Sequence, residues 1–143
     1  MNYKITYIIL FAFSMMSVAF AEDWVNIGEG ENGEKYYYDA GSVSKIAAYR
    51  FSYRGKVEFT SVASINETVK MRKSISLKTE GYSKLKFSFA LEEIDCTLKK
   101  ARNLETKDVD QNCRVLDQHK VIGPWEDFTT GSLYEILYPK ICP

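Results

Sequence analysis

Two stretches of alternating side chains govern what this chain can fold into. Over residues 47–54 the rings of Tyr49, Phe51 and Tyr53 fall on one side, with Arg50, Ser52 and Arg54 on the other. Over residues 85–96, Phe87, Phe89 and Leu91 share a face. Successive side chains of a strand point to opposite faces, so a period of two predicts half-buried antiparallel strands here. Residues 23–27 and 35–39 read as two shorter strands around the Gly-rich stretch 28–33. Gly55-Lys56 reads as a hairpin turn leading into a strand over 57–63, and residues 99–106 and 113–119 are expected to pair around the polar turn 108–112. A meander is the simplest path through these strands.

Two segments follow another period. Ile65, Val69 and Arg72 suit a short amphipathic helix over 65–76. Leu133, Ile136, Leu137 and Ile141 lie at helical spacing over 132–142, with Ser132 or Thr130 as N-cap and Glu135 in the capping-box position relative to Ser132. Pro139 falls near the end of that helix, where it removes one backbone donor.

Residues 1–21 differ from the rest. Lys4 is their only charge, residues 5–20 are almost wholly apolar, and Ala19-Phe20-Ala21 supplies small residues at the positions a signal peptidase reads. This predicts a secretory signal peptide over 1–21, with Glu22 as the first mature residue of a domain over 22–143. The apolar run falls short of the roughly 20 residues that span a bilayer, so no stable membrane span is expected. No cysteine lies near the cleavage site, so lipid anchoring there is not expected. About 120 residues remain, enough for one domain that buries roughly two thirds of its unfolded surface.

Export gives the three cysteines meaning, because an oxidising compartment lets thiols pair. Cys96, Cys113 and Cys142 allow three single pairings and leave one thiol free or intermolecular. Closure of the longer loop, Cys96 to Cys142, is worth roughly 4 kcal/mol and of the shorter, Cys96 to Cys113, roughly 3 kcal/mol, which does not choose between them. A metal site is not expected, since no C-x-x-C pair occurs and His119 is the only imidazole. With 19 basic against 19 acidic side chains, the charge lacks the excess that nucleic-acid binding requires.

Catalytic and cofactor motifs fail on context. Gly28-x-Gly30-x-x-Gly33 matches the dinucleotide fingerprint, but the residues after it read as a strand and not as the helix a pyrophosphate needs. A hairpin loop is the expected role. His119 has no Ser or Cys partner in a nucleophile motif and reads as a surface residue. Among Glu92, Glu93 and Asp95, the last two share a strand face while Glu92 points away, and the group reads as a solvated or salt-bridged face. Lys70, Arg72 and Lys73 read as a diluted basic patch. Asn66-Glu67-Thr68 matches a glycosylation acceptor, a match too short to assign a role. Of the adjacent Tyr36, Tyr37 and Tyr38, alternation leaves at least one ring outside the core; Tyr37 is the candidate interaction residue.

The ordered set of Asp23-Trp-Val-Asn-Ile-Gly28, Lys35-Tyr-Tyr-Tyr-Asp-Ala-Gly-Ser-Val43, Glu92-Glu-Ile-Asp-Cys96 with Arg102 after it, Gly123-Pro-Trp125, Gly131-Ser132 and Cys142 resembles the surface-adhesin protein E family over nearly all of residues 22–143. The resemblance implies an α+β fold, an antiparallel sheet of about six strands with a C-terminal helix on its concave face. It also implies a disulfide between Cys96 and Cys142, leaving Cys113 as a free thiol without a family counterpart, buried, exposed or linking a homodimer. The family's namesake is a lipid-anchored bacterial surface protein that adheres to host proteins, and no binding residue of it maps onto these motifs. The expected function is therefore a non-enzymatic, exported protein-binding module, periplasmic or extracellular, with an envelope or host protein as partner and no cofactor. The alternatives are a periplasmic small-ligand binder or small enzyme using the aromatic concave face beneath the helix, and an envelope assembly factor.

Overall fold

Six strands follow one another in chain order across a curled antiparallel sheet: β1 Trp24–Glu29, β2 Lys35–Ala47, β3 Arg50–Glu58, β4 Leu85–Asp95, β5 Lys100–Asp110 and β6 Val115–His119. The computed structural model describes residues 22–143, so the expected leader lies outside the described residues. A two-residue strand, β7 Glu126–Asp127, adds to β5 at Lys100 and Ala101, beyond the stretch of β5 that β6 covers. Helix α1, Val62–Ser74, and a 3-10 turn, Tyr82–Lys84, connect β3 to β4, and helix α2, Leu133–Ile141, follows β7. The expected α+β meander with a C-terminal helix is the fold.

The β2–β3 connection differs from expectation. Residues 50–58 form one unbroken strand, and Gly55-Lys56 lies in its middle, with Gly55 opposite Ala90 and Lys56 opposite Phe89. The chain reverses at Ala48-Tyr49 instead, where Tyr49 has φ 58° and leaves the alternating set it was expected to join. Gly55 is there because its position is crowded: a Cβ on it would lie 3.3 Å from Glu92 Oε2. Glycine inside a strand often marks such an approach. The segment 57–63 correspondingly ends as a strand at Glu58 and starts α1 at Val62, with Ser61 as N-cap accepting from Ser64 N at 3.1 Å.

Register places Ser88, Ala90, Glu92 and Ile94 of β4 beside Tyr53 and Gly55 of β3 and Tyr36 and Tyr38 of β2, all on one face. Helix α2 covers that face with Leu137 and Ile141, which join Tyr38, Tyr53, Ile94 and Cys96 in the core. Asp108, opposite Ser88, lies on the same face and receives Arg72 of α1 and the Tyr82 hydroxyl, so both helices pack on one side of the sheet. A disulfide joins Cys96, in the β4–β5 turn, to Cys142, with Cα atoms 5.7 Å apart. The Tyr138 hydroxyl donates to the Cys96 carbonyl at 3.1 Å and holds the same end of α2 to that turn.

Candidate functional site

Between the sheet and the first turns of α2 lies a cavity of about 250 Å³. Its floor is made of small residues, Gly55, Ser88 and Ala90, and its walls include Tyr36, Tyr53 and Leu133. Where larger side chains would fill the space between a helix and a sheet, these three leave it open. Glu92 projects into it from β4. The Tyr134 hydroxyl of α2 donates to Glu92 Oε1 at 3.0 Å. The Tyr53 hydroxyl lies beside the same carboxylate, but it is buried and completes no well-aligned hydrogen bond among the described residues.

The electrostatics follow first from burial. Burial raises the Glu92 carboxyl above the ordinary glutamate value, Glu126 adds to the effect, and the Tyr53 and Tyr134 hydroxyls oppose it. The same burial, with Glu92 nearby, raises the Tyr53 and Tyr134 phenols. Tyr36 at the cavity wall is pushed up to about 12, chiefly by burial and then by Glu34, whose Oε1 accepts its hydroxyl at 3.1 Å. The expected solvated or salt-bridged acidic face thus divides in two. Glu93, on the opposite face, binds Arg50 at 3.2 Å and Arg102 at 2.6 Å, and Asp95 caps its turn through Thr97 N and Leu98 N. Glu92 is half-buried at the cavity and has no cation partner among the described residues.

Ser132 precedes α2 as N-cap, yet its hydroxyl makes no capping bond and is buried without a partner. Glu135 departs from the expected capping box as well: its Oε2 accepts from Gly131 N at 2.7 Å.

The face away from the helices carries a different surface. Lys56 Nζ stands 4.4 Å from the ring centroids of both Trp24 and Tyr37 and 5.8 Å from that of Phe87, while Lys107 Nζ stands 5.9 Å from that of Phe89. Trp24 and Phe87 each lie about 6 Å from Phe89, which makes the rings continuous. Tyr37, the candidate interaction residue, thus lies on the face opposite Tyr36 and Tyr38, half-buried, its hydroxyl donating to Glu58 Oε2 at 3.3 Å. Glu58 is in turn paired with Lys86 at 2.8 Å, which leaves Lys56 to the rings.

One family model, surface-adhesin protein E, matches residues 24–143. The chain belongs to that family. No curated protein and no solved structure gives a significant match. The family's ordered motifs have structural tasks in this chain. Asp39 of the Tyr-Asp-Ala-Gly-Ser string takes Asp23 N and Gly41 N on Oδ1 and the Arg54 guanidinium on Oδ2, at the irregularity between Asp39 and Ser44 in β2. Trp125 of Gly-Pro-Trp lies over Arg102 at 4.4 Å and Arg50 at 5.1 Å, covering the two cations that hold Glu93.

The remaining sequence candidates fall elsewhere. The Gly28–Gly33 stretch is the β1–β2 hairpin, with Gly33 at φ 85°, a left-handed conformation that glycine adopts without strain. His119 is exposed and lies 2.7 Å from Asp117. Arg72 is not part of a basic surface patch but is buried between Asp108 and Asp117. Cys113 is exposed and outside the disulfide. Among the described residues no group of three His, Cys, Asp or Glu side chains gathers as a metal site, and no helix is long and apolar enough to cross a membrane. The sequence signal for the cavity was the coincidence of Gly55 with Ser88 and Ala90; it is recognisable only once β3 and β4 are placed in register.

Proposed function

We propose that the chain is a non-enzymatic protein-binding module of the surface-adhesin type, exported after removal of residues 1–21, and that it meets its partner through the sheet face that carries Tyr37. The family and the disulfide both suggest export. The observation that carries the reading is the Lys56-centred platform: four aromatic rings and two lysines on a face that no helix covers. Aromatic rings supply contact area at low entropic cost, and ammonium groups without a carboxylate partner among the described residues, as at Lys56 and Lys107, select acidic chain segments. The partner is therefore an envelope or host protein with an exposed acidic segment.

The test is retention of envelope and host proteins on the oxidised protein, compared with Tyr37→Ala and Lys56→Glu. The unsubstituted protein is expected to retain a partner that both variants lose at least tenfold, with retention falling as salt rises. Equal retention by the variants, or none above a reduced and unfolded control, defeats the proposal. A mature N-terminus at Glu22 is the expected result of sequencing the exported protein.

A further inference from the structure

The cavity beneath α2 lies on the face opposite the Tyr37 platform, and nothing in the protein-binding reading uses it. We propose that it is a binding site for a small primary amine with an apolar body, whose ammonium group is received by the Glu92 carboxylate. Three observations carry this.

First, Glu92 is a carboxylate facing an apolar cavity with no Lys, Arg or His paired to it among the described residues. Lys56 borders the cavity but turns its ammonium to the other face, over Trp24 and Tyr37. Charged groups removed from water are normally paired, and a ligand cation supplies the missing partner. Second, two residues that line the same cavity carry buried hydroxyls with no well-aligned hydrogen bond among the described residues: Tyr53, whose hydroxyl lies beside the Glu92 carboxylate, and Ser132. Tyr53 is 1% exposed, so no bulk water satisfies it. An ammonium group has three donors and no acceptor, and the carboxylate and the two hydroxyl oxygens offer it acceptors. Third, the space fits a small body. An engineered cavity of about 150 Å³ holds benzene, so about 250 Å³ accommodates one ring with a two-carbon stem, or a six-carbon chain. Leu133, Tyr36 and the small floor residues supply its apolar contacts.

The site has a physical cost that explains its composition. Holding the Glu92 carboxylate half-buried under α2 without a cation costs stability, and the Tyr134 hydroxyl, donating at 3.0 Å, offsets this only in part. Gly55 keeps that carboxylate in place, because a Cβ there would lie 3.3 Å from Glu92 Oε2 and push it aside.

Calorimetric titration of the oxidised protein with phenethylamine, hexylamine and the neutral isostere 2-phenylethanol tests the proposal. Both amines are expected to saturate one site at least tenfold more tightly than the alcohol. Glu92→Gln should lower amine affinity at least tenfold and Tyr53→Phe several-fold, whereas Phe87→Ala, on the platform but outside the cavity lining, should leave it unchanged, so this proposal and the platform proposal fail separately. Because Glu92→Gln alters packing beneath α2, the unsubstituted protein provides a second readout. The 13C resonance of the Glu92 carboxyl should titrate at lower pH with phenethylamine present than without it, against Tyr53 from β3, Tyr134 from α2 and Glu126 from β7 as the neighbouring titratable groups. Equal affinity for amine and alcohol, undiminished binding by Glu92→Gln, no saturation by either amine, or a Glu92 titration unmoved by phenethylamine each overturns it.

Discussion

At the scale of single residues, Asp39 shows how one carboxylate sets local geometry. Its side chain is 1% exposed and takes two backbone amides and a guanidinium. Ser42 adds a second tie, donating to the Asp39 carbonyl at 2.7 Å while accepting from Arg54 N at 2.8 Å. Burial alone would raise the Asp39 carboxyl, but the Asp23 and Gly41 amides and Arg54 outweigh it and hold it below its ordinary 3.8. A carboxyl whose folded pKa is depressed stabilises the fold fully above its unfolded pKa and loses that contribution as pH falls through the folded value. Asp39→Asn is therefore expected to lower stability at pH 7 by about 2 kcal/mol, the scale of hydrogen bonds to a charged group. The deficit relative to the unsubstituted protein should shrink as acid denaturation is followed to below pH 3.8. A deficit independent of pH in chemical denaturation would show that the charge of Asp39 contributes nothing.

At the scale of elements, α1 shows why part of this chain was legible and part was not. The helix was expected from Ile65, Val69 and Arg72, and it forms three residues earlier than expected, over Val62–Ser74, because Ser61 caps it. What fastens it was not visible, since its buried side chains are Ser64 and Arg72 rather than an apolar stripe. Arg72 reaches Asp108 at 3.3 Å, Asp117 and the Lys78 carbonyl, and its guanidinium lies 4.3 Å from the Tyr82 ring centroid. Those partners come from three other parts of the chain, and no local pattern announces them. The strands were legible because alternation is local, whereas Gly55 was misread as a turn because its role depends on Glu92, which becomes its neighbour only through β3–β4 pairing. Removing the cation leaves the buried Asp108 carboxylate without a counter-charge and takes the guanidinium from the partly exposed Asp117, so Arg72→Met should destabilise the protein by about 3 kcal/mol. Hydrogen exchange should quicken across Val62–Ser74 before it does in β3 and β4. Arg72→Lys should restore only a fraction, because an ammonium cannot serve both carboxylates and the Lys78 carbonyl in the fork geometry of a guanidinium. Exchange in α1 unchanged by Arg72→Met would show that the helix is held by other contacts.

At the scale of the whole molecule, a meander places nearly every strand beside its sequence neighbour, and the disulfide is the long-range constraint that this order lacks. The β1 to β6 order needs only short connections apart from the α1 segment, so the sheet can assemble step by step along the chain. Helix α2 has no such advantage: it has nine residues, contains Pro139, and follows all of the strands it packs on. An isolated helix of that length is marginal in water, so its order depends on burying Leu137 and Ile141 and on the covalent tie at its end. The tie closes a loop of 46 residues, and in the chain-entropy model its loss costs about 4 kcal/mol. Replacing Cys96 and Cys142 together by Ala should lower stability by about that amount, loosen α2 first and open the cavity beneath it. The sheet should keep its exchange protection, because β1 to β6 pair independently of the crosslink. The exposed Cys113 provides an internal control: one thiol per folded chain should react with an alkylating reagent, and reduction should add two. If Cys113 links two copies in the exported protein, a non-reducing gel will show dimer mass that Cys113→Ser removes; unchanged migration assigns the protein a monomeric covalent state. Three reactive thiols in protein taken from its native location would mean that α2 is held by packing alone, and the site built beneath it would then open far more readily than a crosslinked helix permits.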